Sequence, residues 1–173
     1  PLDRNYARNV AGICSVEALW GLGMPVVIES TFLQLFLRQL GASSLLIGLI
    51  PTLMSAGIAV SSLFSYTLTV RLPRKRPAVL LTHVLAALPI IFFGLFLSFA
   101  GIQPSLLSIF LGMYALFSIG VGLLLPVWQT YIVKIFSEAK TIPAMASMMI
   151  AHSAAKLAGS LFLVSIVERY SFS

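Results

Sequence analysis

The chain has 173 residues, 59% of them hydrophobic and 9% charged. A soluble domain needs about 25% charged residues to cover its surface, so the composition excludes a water-soluble globule and reads as an integral membrane protein. The formal charge of +6 does not mark a nucleic-acid partner, because Lys and Arg are confined to short breaks between apolar runs, and the single cysteine, Cys14, excludes an internal disulfide or a cysteine-built metal site.

A membrane crossing needs about 20 apolar residues. Five runs supply them, roughly 10–37, 45–70, 78–100, 106–133 and 142–167. The prediction is an all-α, multi-span helical bundle, with residues 1–173 forming one transmembrane domain. Strands of a membrane barrel would be about half as long and would alternate. The first run carries Glu17, Gly21, Gly23, Pro25 and Glu29. On one helix the two acids lie about 120° apart around the axis and about 18 Å apart along it, so they do not share a site. Glu29 falls near one interface and Glu17 deeper, though short of the midplane of this run. Gly21, Gly23 and Pro25 mark either a bend or a place where another helix packs closely. After "RQLGASS" the second run carries Pro51, and the break "RLPRKRP" gathers Arg71, Arg74, Lys75 and Arg76. The third run places His83 near the same side, where it is expected to reach water. The fourth, after "GIQPS", holds Gly120, Gly122, Pro126 and Gln129, with Trp128 and Tyr131 read as interfacial aromatics. The break "KIFSEAKT" leads into the fifth run, with Met145, Met148, Met149, His152 and Lys156.

Short links make successive helices antiparallel. Arg4, Arg8, Arg71, Arg74, Lys75, Arg76, Lys134 and Lys140 then fall on one side, and Arg38 and Arg169 on the other. The excess of Lys and Arg places the N-terminus in the cytoplasm. The basic cluster is expected to be a positive-inside anchor, and also a contact for a neighbouring helix end or for anionic lipid.

Lys156 lies roughly 20 Å into the fifth run, too deep to reach either surface with ease. A lysine facing lipid there costs about 2.5–3.5 kcal/mol. It is therefore expected to face the bundle interior or a water-filled cavity, with His152 four residues earlier on the same face. Met145, Met149 and Ser160 extend that stripe. Lys156, His152, Glu17 and Gln129 are the candidate cavity residues for a small solute or ion. A structural ion pair with Glu17 inside the bundle is the competing explanation for Lys156. No cofactor is implied, and no Gly-rich phosphate loop ending in Lys-Ser/Thr is present.

The text "EALWGLG" at 17–23 returns loosely as "YALFSIG" at 114–120, about 97 residues or three spans later. Three-helix repeats of inverted topology build several transporters. With this echo, the sequence resembles the N-terminal half of the major facilitator superfamily. "LRQLGASSLLIGLI" is similar to the family's link from helix one into helix two, and "GVGLLLPVWQTYIVKIFSEAKTIPAMASMM" to its helix four, cytoplasmic link and helix five. "VRLPRKRP" stands where the family places a loop motif. Leu68, Arg71, Arg74 and Lys75 match it, whereas Tyr66, Val70 and Pro73 replace a Gly, the Asp and a second Gly. Two antiporter signatures are missing: Leu116 stands for the helix-four arginine, and "AKLAGS" for the helix-five Gly-Pro motif.

The resemblance implies half of a fold in which two six-helix bundles rock about a midplane site. It implies a secondary active transporter working by alternating access, not an enzyme. The last span has no partner in the chain, so a longer protein with six or seven further spans is expected, its second half being the main partner besides lipid and solute. The alternatives are a non-transporting membrane structural or assembly subunit and the permease subunit of an ATP-driven importer.

Overall fold

A computed structural model of the protein describes residues 2–28, 31–70 and 75–171. Among them are a short 3-10 turn, Leu2–Asn5, and six α-helices: α1 Tyr6–Val27, α2 Thr31–Gln39, α3 Ser44–Val70, α4 Lys75–Ala100, α5 Leu106–Ile135 and α6 Glu138–Ser171. No strand occurs among the described residues. Five of the helices, all but α2, are long and apolar enough to cross a membrane.

The first apolar run is thus two helices rather than one long span. The sequence around the boundary, "PVVIEST", explains the division. β-Branched Val26, Val27 and Ile28 are poor helix formers, and three polar residues follow. The amide of Ile28 closes α1 on the carbonyl of Met24 at 3.0 Å. The nine residues of α2 bury Leu33 and Leu37 while Gln34, Leu35, Arg38 and Gln39 stay exposed. α2 ends on Gly41, whose φ of 83° lets the amides of Gly41 and Ala42 return to the carbonyls of Arg38 and Leu37, both at 2.9 Å. Gly101, φ 65°, closes α4 in the same left-handed conformation. At the start of α3 the Ser43 hydroxyl accepts the Leu46 amide at 3.3 Å, an N-terminal cap.

The helices fall into two compact units, one of Pro1–Leu35 with Ile132–Ser173, the other of Phe36–Tyr131. In the first, α1 packs along α6. Tyr6 meets Phe136 edge-on at 5.6 Å and takes the Lys140 ammonium over its ring at 4.9 Å. Asn9 donates to the Ile135 carbonyl at 3.2 Å. Further along, Gly21 lies against His152, and Gly159 against Leu22. Contacts advance together on both helices, so α1 and α6 run parallel.

In the second unit α5 lies between α3 and α4. Met54, Gly57, Ser61 and Ser65 of α3 meet Ser118, Gly122 and Leu123 of α5 in rising order, so this pair is also parallel. α4 runs the other way: Phe93 meets Phe110, Ala86 meets Gly120 and His83 meets Trp128. Phe36, Phe93, Phe110 and Tyr114 form a continuous aromatic core.

The proline in α5 shows how the bundle tolerates a lost donor. Pro126 has no N–H for the Gly122 carbonyl, its partner in an ideal helix. The hydroxyl of Ser62 on α3 supplies one instead at 2.9 Å, and Ser65 donates to the neighbouring Leu123 carbonyl at 2.9 Å.

The two parallel pairs are related by the echo in the sequence. The Gly57–Ser118 contact, shifted by about 97 residues in opposite senses, becomes Ala154–Gly21. Gly21 in fact packs against His152 and Ala155, on either side of Ala154. An all-helical membrane bundle of repeated design therefore follows from both the text and the packing.

Candidate functional site

Near the middle of both helices of the first unit, Nδ1 of His152 lies 2.9 Å from Oε2 of Glu17. The two side chains are only 18% and 16% exposed. α1 delivers Glu17 because its packed face repeats every four residues: Ile13, Gly21 and Pro25 are buried, and Glu17 lies on the same stripe. α6 delivers His152 by the same spacing, since Ala144 and Met148 are buried at four-residue steps before it, and Gly159 is buried two turns after it. Backbone packing fixes the register at this point. A methyl group at Gly21 would collide with the His152 carbonyl oxygen, and one at Gly159 would sit 2.8 Å from the Leu22 carbonyl oxygen. The two small residues thus bring α1 and α6 into direct backbone contact around the ionisable pair.

The division of the first run also changes the depth of Glu17. It lies 11 residues into the 22-residue α1, at the centre of the helix rather than short of it. His152 is likewise close to the centre of the candidate span Glu138–Glu168. Lys156 follows one turn later on α6, half-buried. A carboxylate, an imidazole and an amine are therefore carried at similar height by adjoining helices, where they can bind or pass protons and hold a small charged solute.

The remaining predicted residues are placed as follows. Gln129 is exposed on α5, in the second unit. α1 passes unbroken through Gly21, Gly23 and Pro25; Gly21 is a packing point, whereas nothing lies within 4 Å of a methyl at Gly23. Gly120 and Gly122 are packing points too, against Ala86 and against Ser61 and Ile58. Met145 and Met149 are exposed, while Met148 is buried in the helix contact. Glu29, Arg71 and Arg74 lie outside the described residues, and Lys75 is described only as the first residue of α4.

Two further groups of the α4–α5 contact are placed by the structure. Trp128 is 6% exposed, edge-on to His83 at 5.2 Å and stacked with Tyr131 at 6.0 Å. His83 is half-buried, with Nδ1 2.8 Å from the Val79 carbonyl oxygen. Both follow from the antiparallel packing of α4 on α5.

The family model of the Major Facilitator Superfamily matches residues 18–173. The chain belongs to the major facilitator superfamily. No curated protein and no solved structure matches it. Membership, with the five apolar helices, makes it a multi-pass membrane protein of transporter type. Within this superfamily chain the sequence misses two contributions. It places His152 on the same face as Lys156 without singling it out as a neighbour of Glu17. It also gives no reason to single out Ser62 and Ser65 among the many small residues of the second run. The 97-residue echo is the available signal, because it pairs the Glu17–Gly23 segment with a helix in the fifth run as it pairs Tyr114–Gly120 with α3.

Proposed function

We propose that this chain is the solute-handling part of a secondary active transporter of the cell membrane, working by alternating access with its N-terminus in the cytoplasm. Its five crossings form one transmembrane domain and work with a second helical bundle of the same protein. The observation that carries the reading is the Glu17–His152 contact at the centre of two helices in a superfamily of transporters. Ionisable groups at membrane depth cost several kcal/mol and are retained where they line a path for solutes or ions. Glu17, His152 and Lys156 line the solute path in this reading, and a small molecule or ion is the substrate. Arg71, Arg74 and Lys75 hold the cytoplasmic loop at anionic lipid headgroups. Neither a cofactor nor a nucleic acid takes part. An assembly subunit would have no need of mid-helix charges, and an ATP-driven importer is a different family.

The test is a comparison of cells expressing the full-length protein, cells expressing its Lys156→Ala variant at equal level, and cells expressing neither. Untargeted profiling of the medium is expected to reveal at least one small solute that only the wild type takes up or releases, reproduced with purified protein in liposomes. If wild-type cells match the empty cells for every solute, the transporter reading is wrong.

A further inference from the structure

The start of α1 and the link from α5 to α6 form one corner of the first unit. Three contacts fix this corner. Nδ2 of Asn9 donates to the Ile135 carbonyl at 3.2 Å. The ring of Tyr6 stands edge-on to Phe136 at 5.6 Å. The Lys140 ammonium lies 4.9 Å from the centre of the same Tyr6 ring. The ring quadrupole attracts that cation, so an uncharged group helps to place Lys140.

The corner is rich in cations. Arg4 and Arg8 on the α1 side and Lys134 on the α5 side are exposed, and Lys140 is half-buried. Residues 1–10 and 134–141 hold four basic side chains, Arg4, Arg8, Lys134 and Lys140, against two acidic ones, Asp3 and Glu138. Arg8 adjoins Asn9 and Lys134 adjoins Ile135, so both cations flank the hydrogen bond that joins the two segments. A lysine in the last turn of a helix ordinarily serves the terminal carbonyls. At the end of α5, where Lys134 stands, the Ile135 carbonyl is bonded by Asn9 instead. Three candidate spans also begin or end here, at Tyr6, Ile135 and Glu138. The corner is therefore at the depth of lipid headgroups.

We propose that this corner binds one anionic phospholipid headgroup, with Arg8 and Lys134 as its charged arms and the Tyr6 and Asn9 contacts as the frame that sets their spacing. The planar fork of Arg8 matches two phosphate oxygens, and Lys134 adds a point charge. Basic residues near a membrane attract anionic lipid diffusely wherever they lie. A built site differs in needing its frame as well as its charges. Bound there, the headgroup ties the start of α1 to the link that leads into α6. The inference rests on the membrane crossings and not on the transporter reading.

The test uses full-length protein with a fluorophore on a cysteine at Ala139, an exposed position of the same link, in a Cys14→Ser background. The protein is placed in nanodiscs of phosphatidylcholine with a minor share of phosphatidylglycerol, and a nitroxide quencher is carried high on the acyl chain of one lipid or the other. Labelled phosphatidylglycerol is expected to quench several-fold more than labelled phosphatidylcholine at equal content. The ratio is expected to fall towards parity in Arg8→Gln/Lys134→Gln, which alters exposed side chains only, and to stay unchanged in Arg74→Gln/Arg76→Gln at the other basic link. Asn9→Leu and Tyr6→Leu keep every charge and are each expected to lower the ratio, with folding checked by thermal unfolding. If both fold and keep the wild-type ratio, the attraction is diffuse and the proposal is overturned. Parity in the wild type, or no response to Arg8→Gln/Lys134→Gln, overturns it as well and assigns the two cations to a protein partner. Exchange of chloride for inorganic phosphate at constant ionic strength is expected to leave the ratio unchanged. Loss of the preference in phosphate would make the free anion the ligand and overturn the lipid site.

Discussion

Gly21 and Gly23 are two residues apart on α1 and have opposite surroundings. A methyl at position 21 meets the backbone of α6, and one at position 23 meets nothing within 4 Å. Gly21→Ala is therefore expected to force the helices apart and to destabilise the protein by about 1–3 kcal/mol, the usual cost of overpacking a tight contact. Gly23→Ala should be neutral or stabilising by up to about 1 kcal/mol, since alanine is the better helix former. Thermal unfolding of the purified variants in detergent checks both, and an equal loss at the two positions would contradict the packing described. Lys156 gives a second prediction at this scale. In the full-length protein, Lys156→Ala is expected to leave expression intact and reduce uptake to background, while Lys156→Arg retains a part of it. Normal uptake by Lys156→Ala would remove this residue from the site. Failure to fold, rescued by adding Glu17→Ala, would make it a structural ion pair instead.

At the scale of elements, α5 is the helix whose neighbours explain its sequence. Its proline is accommodated because a serine on α3 bonds the carbonyl that Pro126 leaves without its helical donor. Ser62→Ala should thus cost about 1 kcal/mol, in the range found for hydrogen bonds between membrane helices. The same substitution made in a Pro126→Ala background should cost less, because an alanine in place of the proline restores the N–H within the helix. A double-mutant cycle on unfolding free energies measures the difference. Additive effects of the two substitutions would show that Ser62 does not serve the carbonyl freed by the proline. In α1–α6 the corresponding close contact is the approach of Gly21 and Gly159 to opposing carbonyls.

For the whole molecule, the sense in which the helices cross sets the last prediction. Lys and Arg favour the side of the N-terminus and of the 71–76 link eight to two. Single cysteines at Arg74 and Ser105, in a Cys14→Ser background, are expected to react with an impermeant thiol reagent from the cytoplasmic and the external side respectively. Labelling of both from outside would reverse or break the topology. The alternation this assumes agrees with the packing inside each unit: α1 runs parallel to α6, α3 runs parallel to α5, and α4 runs against α5.

The sequence by itself determined the class of the protein and the count of crossings. Burial of apolar surface in lipid is read directly from run length and from the scarcity of charge, and neither depends on which helix touches which. It also picked out Glu17, His152 and Lys156, because a titratable group inside an apolar run is costly wherever it points. It did not determine that the first run breaks after Val27, a local contest between β-branched residues and helix continuity that placed Glu17 at the centre of its helix. Nor did it determine that His152 meets Glu17 and that Trp128 turns inward. Those outcomes depend on contacts between residues 45 or more positions apart, and only the packing of α1 on α6 and of α4 on α5 selects them.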